Sequence, residues 1–165
     1  MKNAISIPTS NLKEKTNYDL YLRLELGQTT PVVLPMKHAQ EVLIVPAKRI
    51  TVMPNMPPYL LGLLNQRSRI LWVADLPQLL QLEPVDRNLQ QFHLAIIRVD
   101  NVPLGLVVPQ VAGIIRLNTE EIQSPLGNVS EGLIPYLQGC LMQPEGIFLV
   151  LDPAAIINSP LLHPN

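Results

Sequence analysis

The sequence has a single cysteine, Cys140, among 165 residues. No disulfide can form within the chain, so a cystine framework is excluded and a reducing compartment fits. Aromatic residues make up only 4% and charged residues 15%. The net charge of −1 supplies no basic field of the kind that non-specific nucleic-acid binding relies on. No uninterrupted apolar run approaches the ~20 residues of a membrane helix. The stretch from Met1 to Asn17 lacks the apolar core of a signal peptide. These absences point to a cytoplasmic protein with no direct membrane insertion. The histidines, His38, His93 and His163, are scattered and, with Cys140, lack metal-ligand spacing. Ser68 has no histidine or aspartate beside it to activate it, and there is no phosphate-cradling glycine loop. No histidine lies on a helical segment suited to phosphotransfer, which argues against a kinase or phosphocarrier. No catalytic, metal or cofactor-binding residue is therefore assigned.

What the chain does have is aliphatic residues and breakers. Hydrophobic residues reach 47%, and 17 prolines and 8 glycines cut the chain into short segments. That disfavours a helical bundle and suits short strands around an aliphatic core. Tyr18 to Leu26 alternates, with Leu20, Leu22, Leu24 and Leu26 on one face and Asp19, Tyr21, Arg23 and Glu25 on the other. Pro31 to Pro35 reads as a short strand whose bounding prolines place it at an edge. Ala39 to Val45 and Arg49 to Met53 follow as extended segments. Asp75 is the natural N-cap of a two-turn helix over Leu76 to Leu82, with Pro77 in its first turn. The polar run Glu83 to Gln91 reads as a linker. The second half gives strands over Phe92 to Val99, Val102 to Val108, Val111 to Leu117, Leu133 to Met142 and Ile147 to Leu151. Asp100-Asn101 forms a two-residue hairpin turn. One helical turn is expected at Thr119 to Ile122, and Asp152-Pro153 starts a closing helix. Strands arranged this way predict paired small barrels or a sandwich.

The densest pattern lies between Ile50 and Leu76, ITVMPNMPPYLLGLLNQRSRILWVADL. A β-prone run breaks at Pro54, Pro57 and Pro58. An apolar turn from Tyr59 to Leu64 contains Gly62. A polar tip, Asn65 to Arg69, precedes a second β-prone run ending in Asp75. This order resembles the central motif of the CheW-like signalling adaptors: Pro-x-x-x-Pro, then Gly-(apolar)2-Asn-x-Arg-Gly, then an apolar strand ending in Asp-Leu. Gly105 to Val111 resembles the family's Gly-(apolar)3-Asp-x-Val strand. Ile134 to Gly139 and Phe148 to Asp152 resemble its closing blocks. There are two departures: Ser68 stands where the family has Gly, and Pro109 where it has Asp.

The resemblance implies a mostly β fold of two five-stranded SH3-like barrel lobes sharing an aliphatic core. The expected organisation is a mobile arm over residues 1–17, one domain over 18–157 and a tail over 158–165. Within the domain, lobe 1 spans about 18–82, lobe 2 about 92–151, and a closing helix 152–157. It also implies a non-enzymatic scaffold that couples methyl-accepting receptors to a CheA-type histidine kinase, with an interlobe groove that receives a receptor's helical tip. The partner-binding residues so implied are Arg67, Gly62, Asn65, Met56, Val33, Met36 and Val107. Arg67 by pattern alone is a solvated hairpin arginine; the resemblance makes it a contact. Gly62 either allows a partner's close approach or relieves crowding in a turn. Trp72 reads as a core plug, with a surface anchor as the alternative. A rival function is a small β-barrel module that binds a ligand or nucleic acid in the interlobe groove.

Overall fold

The structure is a computed structural model that describes residues 17–27, 31–124 and 129–163. Of the expected arm over residues 1–17, residues 1–16 lie outside the described residues; Asn17 is described, and its carbonyl accepts from the amide and the hydroxyl of Thr119. Among the described residues, eleven strands form two sheets. β1 (Tyr18–Glu25), β2 (Val32–Pro35), β9 (Gln110–Asn118), β10 (Leu137–Gln143) and β11 (Gly146–Leu151) make a five-stranded sheet in the order β10-β11-β2-β1-β9. β3 (Ala39–Pro46), β4 (Ile50–Thr51), β5 (Leu60–Gln66), β6 (Arg69–Asp75), β7 (Gln91–Val99) and β8 (Val102–Val108) make a six-stranded one in the order β3-β7-β8-β6-β5-β4. The sheets curl into two SH3-like lobes. The second lobe has six strands rather than the expected five because the two-residue β4 adds to β5.

The lobes are not successive halves of the chain. The expected division at 18–82 and 92–151 gives way to an interleaved one: β3 to β8 build one lobe, and β1 and β2 join β9 to β11 in the other. β2 is interior rather than at an edge. It lies between β1, antiparallel, and β11, parallel. Pro31 precedes the strand and Pro35 ends it, so the missing amide hydrogens fall at its ends and the middle of the ladder stays intact.

Alternation along these strands sorts side chains into three apolar layers. Leu22, Leu24, Val32, Leu34, Leu149 and Leu151 of the first lobe meet Ala74, Ala95, Ile97, Leu104, Leu106 and Val108 of the second in a shared core. The opposite faces fill each lobe's own interior. Tyr21, Val33, Leu117, Leu141, Phe148 and Val150 fill the first, and Leu61, Leu64, Leu71, Val73, Leu94, Ile96 and Val107 are among those in the second. Strands buried on both faces explain runs such as VVLP and GLVV, in which no polar residue alternates. Each fully buried leucine or valine contributes roughly 1.5–3 kcal/mol of transfer free energy.

The hairpin turns follow backbone chemistry. Asp100 and Asn101, at φ of 50° and 68°, join β7 to β8, as the residue types predict. Arg67 and Ser68, at φ of 54° and 65°, join β5 to β6 in the same left-handed manner. Tyr59 to Leu64, expected as an apolar turn, is mostly β5; its apolar residues pair with β6 instead of turning. Helix α1 is shorter than expected, one turn over Leu76–Leu79, and α2 spans Pro153–Ile157. Asp75 and Asp152 cap them, accepting from the amides of Gln78 and Ala155. Thr119–Glu121 forms the expected single helical turn. The described part of the expected tail packs back onto the fold: Leu162 joins the shared core, and Ser159 Oγ lies 2.6 Å from Tyr136 Oη.

Candidate docking site around the central hairpin

The tip of the β5–β6 hairpin carries Arg67 with its side chain 77% exposed. Its Nη2 donates to Glu41 Oε2 at 3.3 Å, and Gln66 Nε2 donates to the same oxygen at 3.2 Å. Arg49 Nη2 donates to the carbonyl of Asn65 at 2.6 Å and to Gln66 Oε1 at 3.0 Å. These bonds tie β3 and the turn before β4 to the hairpin tip, so the six-stranded lobe is closed there by side chains. The arginine fork is thereby held at the surface with most of its donors facing solvent. Asn65 is exposed beside it.

Asp75, at the far end of β6, is fully buried. Its Oδ1 accepts from the Gln78 amide at 3.0 Å, and its Oδ2 accepts from the Val85 amide at 3.1 Å and from Arg87 Nη2 at 3.3 Å. The same Arg87 nitrogen donates to the Pro58 carbonyl at 2.9 Å and to Gln78 Oε1 at 3.1 Å. The Asp75 amide donates to the Tyr59 carbonyl at 2.7 Å. One carboxylate and one guanidinium thus fasten the proline turn, the α1 cap and the polar linker together. The cap was legible in the sequence. The burial of Asp75 and its Arg87 partner were not, because the linker's path is a tertiary fact.

The remaining residues singled out from sequence do not converge on one surface. Gly62 is buried at φ 151°, and a Cβ built there would meet the Thr51 carbonyl oxygen at 2.1 Å. Its close approach is therefore to β4 of its own lobe. Val33 and Val107 are each 0% exposed, inside the first and second lobes respectively, and touch no surface that a partner could reach without unfolding. Their strands are interior, which overturns the edge placement that put Val33 on the outside. Met36 is half-buried against the shared core. Met56 is half-buried and lines an apolar cavity of about 160 Å³ with Leu60, Trp72, Leu104 and Leu162. Trp72 is an exposed wall of that cavity rather than a core plug. Exposed Ile70 and Trp72 alternate with buried Leu71 and Val73, but Ile70 to Ala74 is an unbroken apolar run, so the sequence carried no signal of which face is open.

A second cavity, of about 270 Å³, opens between Leu26 and Gly27 of one lobe and Phe92, His93, Val108 and Pro109 of the other, under the linker. Among the described residues, no three His, Cys, Asp or Glu side chains are grouped to hold a metal ion, and no helix is long and apolar enough to cross a membrane.

Comparison with known proteins places these features in a family. The chain is 27% identical over 123 residues to the chemotaxis protein CheW of Treponema pallidum, covering 73% of this chain and 72% of that protein. It is 34% identical over 84 residues to a probable chemotaxis protein CheW of Rhizobium etli, covering 50% and 52%. Its fold matches the crystal structure of the scaffolding protein TtCheW from Thermoanaerobacter tengcongensis with a TM-score of 0.69 at 18% identity, over 81% of this chain and 88% of that one. Residues 20–161, from the first core strand to the segment after α2, match the CheW-like domain, and the chain belongs to that family.

Proposed function

We propose that this protein is a non-enzymatic cytoplasmic adaptor coupling methyl-accepting receptors to a CheA-type histidine kinase in chemotaxis-like signalling, whether for taxis, phototaxis or pilus-driven motility. The observation that carries this reading is the CheW-like domain match across residues 20–161, together with named chemotaxis relatives. The physical picture agrees with it. Two lobes welded by a shared aliphatic core form a stiff spacer, so a receptor and a kinase bound to it keep a fixed separation, and a small receptor shift is passed on rather than absorbed. Arg67, Asn65, Met56 and Met36 are the sequence-derived contact residues that retain exposed surface, and they are proposed to meet a partner.

The test is binding by the full chain to a cognate receptor signalling tip and to the kinase's regulatory domain. Arg67→Glu sets two carboxylates side by side at Glu41 but perturbs an exposed pair worth only ~0–1 kcal/mol, so the variant stays folded. Its affinity for at least one partner should drop by about tenfold or more. Full affinity of the folded variant for both partners would remove Arg67 from the site. A wild-type chain that binds neither would remove the function.

A further inference from the structure

We infer that the free edge of β9, centred on Ile115, pairs antiparallel with the same edge of a second copy of this chain, so that the five-stranded sheets of two copies join into one continuous sheet. The inference goes beyond the adaptor reading and does not depend on it.

β9 ends the order β10-β11-β2-β1-β9, so among the described residues β1 is its one strand neighbour. Past the Thr119–Glu121 turn, Gln123 bridges Cys140 of β10, which closes the lobe there and leaves the preceding stretch bare. The Thr119 amide donates to the Asn17 carbonyl, and the register runs unshifted from that pair to Gly113 opposite Arg23. In an antiparallel ladder, bonded pairs alternate with non-bonded ones. Leu117, Ile115 and Gly113 therefore exchange bonds with β1, while the amides and carbonyls of Arg116 and Ile114 point away from it. Ahead of Gly113 the ladder shifts at Ala112, so the regular stretch is Gly113 to Asn118. Its outer face is also uncovered: Ile114 is 59% exposed, and Leu20, opposite Arg116 on β1, is 48% exposed. Regular edges are ordinarily blunted by lysine, proline or brevity. This stretch has neither lysine nor proline, and its single charge, Arg116, is drawn back over the Tyr18 ring at 5.8 Å.

The edge is its own complement. An open edge takes a strand whose outward amides and carbonyls match its own. A two-fold axis at Ile115 sets Ile114 of each copy opposite Arg116 of the other, and the outward groups of these residues meet in backbone hydrogen bonds on both sides of the axis. Each arginine then lies against an isoleucine, and no like charges are opposed. An axis at Arg116 would set arginine against arginine, which costs stability, and an axis at Ile114 would run the pairing into the shifted residue Ala112. Charge and bulge thus select one register for self-pairing. The contact is isologous and closes at two copies. Leu20 and Ile114 of both copies gather on one face beside the new ladder. The paired stretch is short, below the roughly 800 Å² per partner of a standard interface, so the dimer forms at micromolar to millimolar concentration.

Sedimentation velocity on the full chain, from low micromolar to millimolar concentration, should show a monomer–dimer equilibrium. Amide hydrogen exchange over the same range should show Ile114 and Arg116 gaining protection as the dimer forms, while Ile115 and Leu117, bonded to β1, are protected throughout. Ile114→Lys sets a lysine against Arg116 of the other copy, twice per dimer, and should weaken dimerisation by at least about tenfold. Adding Arg116→Glu to that variant turns each repulsive pair into an attractive one and should recover most of the loss. Val42→Lys, at an exposed site on β3, should leave dimerisation unchanged. A wild-type chain that stays monomeric across the whole range overturns the inference. So does a dimer that Ile114→Lys leaves intact. Protection of the wild-type Ile114 and Arg116 amides that does not change with concentration also overturns it, because another segment of the same chain would then cover the edge.

Discussion

Replacing Gly62 with alanine separates two roles that a glycine in this position could have. The added Cβ would sit 2.1 Å from the Thr51 carbonyl oxygen and 2.7 Å from its carbonyl carbon, both backbone atoms that no rotamer change can move aside. Relief requires β4 to move away, which sacrifices the pairing of Ile50 with Leu64 and Thr51 with Leu63. Two backbone hydrogen bonds at ~1 kcal/mol each, plus ~1–2 kcal/mol for a non-glycine residue at positive φ, give a loss of about 3–4 kcal/mol. For a domain of this size, each kcal/mol moves the melting temperature by roughly 2–4 °C, so the midpoint should fall by about 6–16 °C. Thermal unfolding followed by circular dichroism measures it. A variant that melts within about 2 °C of wild type yet loses partner affinity would refute the steric reasoning and restore Gly62 as a partner contact.

Asp75→Ala removes the α1 cap and leaves the buried Val85 amide and Arg87 without their acceptor; urea titration should show a loss of about 3 kcal/mol, and a loss below about 1 kcal/mol would contradict the hub described for it. Ser68→Gly places a residue with no Cβ at φ 65° and should raise stability by up to about 1 kcal/mol in the same titration, with no gain if the turn relaxes without strain. Burial, helped by the nearby Asp19 charge, raises the Tyr21 hydroxyl above its ordinary 10.0. Because the folded state holds this proton more tightly than the unfolded chain, the stabilisation is fully present below pH ~10 and is lost as the pH rises through the higher folded value. Denaturant midpoints measured between about pH 8 and 11 should fall more steeply for wild type than for Tyr21→Phe, and parallel curves would refute the linkage.

The parts of the fold that were legible in the sequence are those set by local chemistry. Asp75 and Asp152 before prolines announce their caps, Asp100-Asn101 announces a hairpin, and the leucines of β1 mark a strand. What the sequence concealed depends on which strand lies beside which. Pro31 and Pro35 look like edge markers, yet they only bound an interior strand, because the chain termini bring β11 to its other side. Val33 and Val107 look like surface candidates by family analogy, but burial on both faces leaves them inside separate lobes. Arg67 at an exposed tip was readable from the turn. Glu41, its partner 26 residues earlier, was not, since nothing local links β3 to that hairpin.

The interleaved lobes have a consequence for how the polypeptide reaches its final form. β2 stays without its parallel neighbour until β11 has been synthesised, more than a hundred residues later, which at ribosomal speeds of ~5–20 residues/s is a wait on the order of ten seconds. In that interval the segment from β3 to β8 holds every strand of its own sheet and is free to collapse first, acting as a template on which the apolar faces of β1 and β2 are sheltered. A nascent chain stalled before β9 would have cover for the leucines of β1 but none for Tyr21 and Val33 on the opposite face, which only β9 to β11 enclose, so the N-terminal strands are half-housed until the last strands emerge.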